Sequence, residues 1–320
     1  MMERDRFEQF RWNRILLLTS VAFFIIISGC ASANLQKKVL PSLATSNPTS
    51  IFIQSELSPT SVQAGNLVFI RIKLSEGIQE KKVRGLFEGI EVPFFLVPEW
   101  GAGIYASILG IPYERKPGPG FVTLSVGDPG EEANLQLPFQ VLDGNYRSEV
   151  LHVDQKRVNP THQGDLKRIQ HEILEVKEIY KKVTPHRYWR GPFSFPIKSA
   201  ITSPFGTRRV YNGQLKNFHS GLDLKAPLKT RVLSAASGLV VLAKDLFYTG
   251  NTVMIDHGYG IITLYAHMSR LSVQVGQVVQ SHQFLGLSGK TGRVNGPHLH
   301  WQAVVHQVKV NPLGLIQVVR

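Results

Sequence analysis

Apolar residues recur at every second position along most of this chain, and glycine- or proline-bearing turns separate the runs. A period of two belongs to strands that bury one face, so the pattern demands a fold built mainly of antiparallel strands. In "LVFIRIKL", Val68, Ile70, Ile72 and Leu74 alternate with Phe69, Arg71 and Lys73. Val122, Leu124 and Val126 line another face, and "GDPG" turns the chain towards Leu135, Leu137, Phe139 and Val141. Roughly six or seven such strands over residues 51–143 predict an immunoglobulin-like β-sandwich. Strand and turn resume from "RGPFSFPIKSAITSPFG" to the end, which predicts a second antiparallel β domain.

One stretch departs from that period. Leu166, Ile169, Ile173, Val176, Tyr180 and Val183 are spaced 3, 4, 3, 4, 3, the seam of an amphipathic helix between Gly164 and Val183. Glu178 and Lys182 form an i, i+4 pair on its outer face, and Pro185 ends it. The helix is expected to connect the two β regions.

The N-terminus predicts export. Arg11 and Arg14 precede an apolar run from Ile15 to Ile27 that is shorter than the roughly 20 residues of a comfortable bilayer span, so it fits a secretory signal better than a membrane anchor. The run ends in "ISGC", which resembles the lipobox of bacterial lipoproteins and implies a lipidated Cys30. Cys30 is the sole cysteine, so a disulfide within the chain and a catalytic thiol elsewhere are excluded. "ASANLQKKVLPSLATSNPTS" has no apolar period and the composition of a flexible tether. The expected organisation is a signal peptide at 1–29, the lipidated cysteine and tether at 30–50, the sandwich at 51–143, a linker with the helix at 144–190, and a catalytic domain at 191–320.

The net charge is +13 over 320 residues, which permits an anionic partner. No basic helix, zinc-finger spacing or basic stripe interleaved with aromatic residues is present, so no nucleic-acid partner is expected.

Two motifs carry chemistry. In "NGPHLHW" a strand aims His298 and His300 at one face while Leu299 and Trp301 point to the other and anchor the strand. In "FHSGLDLKAP" His219 and Asp223 are four residues apart and share a face, with Gly221 and Pro227 favouring extended backbone. Each motif alone is common. Together, a near His and Asp with a distant His suit an open zinc site of three protein ligands and a water. The hairpin "NTVMIDHGYGIITLYAH" is expected to put Thr263, Tyr265 and His267 on one strand face. His257 is expected in a turn or rim role, and His306 at the surface.

From about Gly191 to Leu315, the order and spacing of "PFGTRR", "HSGLDLKAP", "GNTVMIDHGYG", "LYAHMS", "VGQVVQSHQFLGLSGKTGRVNGPHLHW" and "NPL" closely resemble the M23 family of zinc metallopeptidases, the lysostaphin or LytM type. The resemblance implies a lysostaphin-type β domain holding one Zn2+ through His219, Asp223 and His300, with His267 and His298 as the catalytic histidines. It implies a metalloendopeptidase that uses a zinc-activated water to cut peptide cross-links of bacterial peptidoglycan, as a D,D-endopeptidase. The family often has Thr or Ser where Asn295 stands. The expected partners are peptidoglycan peptide stems, the membrane through the lipid anchor, and an envelope protein docked on the sandwich or helix. The expected location is the cell envelope, on the outer membrane facing the periplasm. The alternative is an envelope scaffold or activator that binds peptidoglycan or a hydrolase.

Overall fold

The computed structural model describes residues 51–75, 82–127, 132–151, 162–211 and 214–318. The expected signal, the expected lipidation site Cys30 and the expected tether lie outside the described residues. All the described residues belong to one compact unit, and the fold is all-β with few helices.

Nine strands come first: β1 (Phe52–Ser58), β2 (Ser61–Gln63), β3 (Leu67–Leu74), β4 (Val83–Phe87), β5 (Ile90–Pro93), β6 (Phe95–Leu96), β7 (Ile104–Gly110), β8 (Gly118–Val126) and β9 (Ala133–Leu142). They make two sheets, in the orders β1-β3-β7-β6 and β2-β9-β8-β4-β5. Every pairing is antiparallel except β2 with β9. Val68, Ile70, Ile72 and Leu74 of β3 meet Val122, Leu124 and Val126 of β8 in a shared core. Alternation alone predicts that packing.

The back of the first sheet is not a free polar face. Leu67 and Phe69 of β3, with Ala106 and Ile108 of β7, enter the same apolar cluster as Trp189, Phe193 and the C-terminal strands. Phe69 joins that cluster and also meets the Trp100 ring, 5.8 Å between centres, over which the Arg71 guanidinium lies. A period of two separates faces but does not say what covers each one.

The remaining elements are β10 (Ser148–Leu151), α1 (Gln163–Lys181), β11 (Ile201–Ser203), β12 (Arg208–Tyr211), β13 (Gln214–Phe218), β14 (Leu222–Lys225), β15 (Arg231–Leu233), β16 (Gly238–Leu246), β17 (Gly250–Gly258), β18 (Ile261–Leu271), β19 (Val278–Val279), β20 (Phe284–Ser288), β21 (His298–Val305), β22 (Val308–Val310) and α2 (Pro312–Val318). A sheet in the order β11-β14-β21-β18-β17-β16-β19 is the frame, with β20 also paired to β18 and β22 to β21. Leu224, Tyr265, Leu299, Trp301 and Val305 bury its inner face. Leu264, Ala266 and Val304 lie on the other face, beneath α1.

The helix seats only part of its seam. Ile169 is buried, and Val176, Ile179 and Tyr180 pack on the sheet, whereas Leu166, Ile173 and Val183 stay exposed. Arg168 to Asp245, at 2.9 Å, and Lys244 to Glu175, at 2.8 Å, tie the helix to the end of β16. The expected Glu178–Lys182 pair does not form, because Lys182 is the C-cap with extended backbone. Glu178 pairs instead with Lys181 at 2.7 Å.

Candidate active site

Three neighbouring strands bring the motif residues together. The β14–β21 register sets Asp223 opposite His300 and Lys225 opposite His298, and the β18–β21 register sets Ala266 opposite His300. Leu222 and Leu224 point into the core on either side of Asp223, as Leu299 and Trp301 do beside the histidines. Leu299 and Trp301 are wholly buried, and each such side chain stabilises the strand by roughly 1.5–3 kcal/mol. Gly221 lets β14 come this close, because a Cβ there would sit 2.5 Å from the Trp301 carbonyl oxygen and 2.8 Å from His300 Nε2.

His219 Nε2 and His300 Nδ1 each lie 2.9 Å from Asp223 Oδ1 and 3.0 Å from one another. His219 Nδ1 donates to the Pro204 carbonyl at 2.9 Å, and a carbonyl can only accept, so in the neutral ring Nε2 keeps its lone pair for the cluster. Burial pushes the Asp223 pKa up, but hydrogen bonds and charge from His219 and His300 outweigh it and hold the carboxyl well below its usual range. Two imidazole nitrogens and a carboxylate oxygen thus converge from buried positions. Zinc fits this set: the ligands are borderline, one negative charge leaves a divalent ion net positive, and the spacing approaches the roughly 3.3 Å edge of a zinc-centred tetrahedron.

His267 arrives by a route that alternation does not predict. Val253 pairs with Tyr265 and Asn251 with Met268, so Ala266 and His267 together oppose one residue of β17. That is a β-bulge, and His267 adopts a left-handed φ of 63° within it. The bulge turns His267 away from Tyr265, whose ring is in the core, and onto the face of the other site histidines. The expectation that Thr263, Tyr265 and His267 share a face is thereby corrected. The His267 ring centre lies 4.9 Å from that of His298 and 6.0 Å from that of His300.

Both histidines outside the ligand cluster have the same tautomer. His267 Nδ1 donates to the Thr291 carbonyl and His298 Nδ1 to the Gly296 carbonyl, each at 2.9 Å. Their Nε2 atoms are therefore bare in the neutral rings. Burial, followed by the charges of His300 and His298, lowers the His267 pKa to about 3.

Behind the site, Ser220 donates to Gln302 Oε1 at 2.8 Å and Gln302 Nε2 donates to the Tyr180 hydroxyl at 2.9 Å. This chain links α1, β21 and the residue beside His219. Gln302 was legible as the next residue on the His298–His300 face, two positions on. Tyr180 was visible only as one position of the helix seam.

Two other histidines are also corrected. His257 is wholly buried, donating through Nδ1 to the Ser237 carbonyl at 2.8 Å and accepting the Thr263 hydroxyl at Nε2 at 2.7 Å. His306 is buried as well, with Nε2 3.0 Å from the Tyr259 carbonyl. Burial lowers the pKa of each to about 4.

The histidines open into a cleft of about 880 Å³ whose walls include Tyr180 and Val176 of α1, Tyr248, Arg293 and Gln302.

The sequence profile of peptidase family M23 matches residues 217–312. Peptidoglycan DD-endopeptidase ShyA of Vibrio cholerae is 39% identical over 122 residues, covering 37% of this chain and 28% of that protein. DD-carboxypeptidase/endopeptidase Mpg of Neisseria meningitidis is 38% identical over 119 residues, covering 37% and 27%. The chain thus spans under a third of the length of these curated relatives. The crystal structure of a peptidase M23 from Pseudomonas aeruginosa is 30% identical, with a TM-score of 0.60, covering 79% of this chain and 94% of that one. A likeness over 79% of the chain extends beyond the C-terminal sheet.

Proposed function

This chain belongs to peptidase family M23, and from that premise we propose that it is a zinc metalloendopeptidase cutting the peptide cross-links of bacterial peptidoglycan. The observation that carries the reading is the convergence of His219, Asp223 and His300 beside two histidines with bare Nε2 atoms. The D,D-cross-link is the bond of choice, supported by the likeness to ShyA, which is named for that activity.

His219 Nε2, Asp223 Oδ1 and His300 Nδ1 are the atoms that would hold the ion. Zinc bound there supplies Lewis-acid activation of water and of the scissile carbonyl. The protein's own work is proton transfer and orientation. Of His267 and His298, one accepts the proton of the attacking water at Nε2, and the other stabilises the developing oxyanion or passes a proton to the leaving amine. The Thr291 and Gly296 carbonyls keep both rings in the tautomer this needs. Because burial holds His267 neutral, its Nε2 is available to accept at neutral pH. Asp223 stays ionised through the cycle.

The lipobox-like sequence supports acylation at Cys30, and Ala31 after it supports placement on the outer membrane, facing the periplasm. There the sandwich or helix would meet any envelope partner.

Digestion of purified sacculi by the full-length, zinc-loaded protein, followed by muropeptide analysis, tests the function. Cross-linked species should fall as un-cross-linked stems rise. An unchanged pattern would replace the peptidase reading with that of a scaffold or activator.

A further inference from the structure

The wall of the cleft carries a charge pattern that the peptidase reading leaves unused. Among the described residues of that wall the carboxylates are Glu172 and Asp223, and the cations are Lys177, Arg293 and Lys309. Both carboxylates are committed. Glu172 accepts Arg168 Nε at 2.6 Å and the Phe247 N–H at 2.8 Å, and Asp223 faces the two ligand histidines. The described part of the wall thus carries more cations than carboxylates, which favours an anionic group on an entering ligand.

Arg293 is the best fixed of the three cations. Its guanidinium lies 4.3 Å from the centre of the Tyr248 ring, and its backbone N–H donates to the Tyr248 carbonyl at 2.9 Å. The preceding Gly292 has a φ of 76°, and a Cβ there would lie 2.4 Å from Gly250 N, so the two loops are packed backbone to backbone. Thr291 completes the mounting. Its hydroxyl donates to the Met268 carbonyl and accepts the Asn251 N–H, and its carbonyl holds His267. The segment that orients a site histidine is thus the same one that carries Arg293. A stacked guanidinium loses little freedom on binding, and its planar fork matches a carboxylate.

We propose that Arg293 recognises a carboxylate of the substrate peptide near the scissile bond, making it a specificity-determining residue; this rests on the peptidoglycan reading above. Two carboxylates of a cross-linked stem have the required chemistry, one at the chain terminus and one on the branching diamino acid. Lys177 and Lys309, from α1 and β22, add long-range attraction without the fork geometry.

The test uses full-length wild-type protein, R293K and R293Q with three synthetic cross-linked peptides: the parent, a terminal amide and a branch-residue amide. R293Q should raise KM for the parent by about tenfold to a hundredfold, the range for losing a charge-assisted hydrogen bond, while kcat and bound zinc stay within about twofold of wild type. R293K should fall between them. Wild type should lose the same factor on one of the amides, which identifies the carboxylate, and R293Q should not distinguish that amide from the parent. Equal losses on all three peptides, or an R293Q that matches wild type, would overturn the role of Arg293 while leaving the peptidase intact. A wild type that cleaves none of the three would overturn the peptidoglycan reading and this inference with it.

Discussion

His298 and His300 are two residues apart on one strand face, yet their surroundings differ, and the proposed mechanism gives them different work. His300 Nδ1 is 2.9 Å from Asp223 Oδ1 and 3.0 Å from His219 Nε2, whereas His298 Nε2 is 3.6 Å from the same carboxylate oxygen. His300→Ala is therefore expected to lose metal and activity together. His298→Ala should keep its zinc and lose on the order of 10²–10⁴ in turnover, as for a missing acid–base or oxyanion group. Zinc per chain after dialysis, measured beside turnover, separates the two, and a reversed pattern would exchange the roles. Most of this neighbourhood was legible in sequence, because even spacing fixes a shared face once a strand is recognised. The orientation of His267 was not. A bulge adds one residue to the count, and nothing in "LYAHMS" announces that His267 takes a positive φ.

The sheet and the helix differ in how firmly they are held. β18 lies between β17 and β21 and is buried from Ile261 to Met268. Its backbone has neighbours on both sides. Helix α1 buries one residue fully and leaves Leu166, Ile173 and Leu174 exposed, so it rests on Val176, Ile179, Tyr180 and a few ion pairs. Exposed pairs of this kind contribute about 0–1 kcal/mol each. In hydrogen exchange, the amides of α1 should open well below the free energy at which those of β17 and β18 open. Equal protection would show that the helix is integral to the sheet. The 3,4 spacing located the helix, but not which part of the seam it buries, since that depends on the surface opposite.

At the scale of the whole molecule, the sandwich and the C-terminal sheet share an apolar cluster through Leu67, Ile108, Trp189 and Phe193. Alternation revealed the strands of both, but not this shared boundary, because a residue's pattern is the same whether its buried face meets one sheet or another. Acid should weaken the assembled fold in a defined window. His257 and His306 have pKa values of about 4 in the folded chain against 6.5 for the unperturbed ring. Below pH 6.5 the unfolded state takes up protons that the folded state refuses, so stability is full above that value and declines as pH falls towards 4. At pH 5 the loss is about 2 kcal/mol for each histidine. Denaturant unfolding at pH 7 and pH 5 measures it, and no change would mean that both rings are protonated in the folded protein. Cys30→Ala should move the protein from the membrane fraction to the soluble one, or stall its processing, because acyl burial contributes about 0.8 kcal/mol per methylene; unchanged fractionation would exclude the anchor. The most direct measurement is hydrolysis of a purified D,D-cross-linked muropeptide dimer by the full-length protein, stripped of metal and then restored to one zinc per chain. The predicted result is conversion of the dimer to two monomers by the restored protein alone. A dimer left intact at full zinc occupancy, or cut equally well by the stripped protein, would contradict a zinc-dependent peptidase.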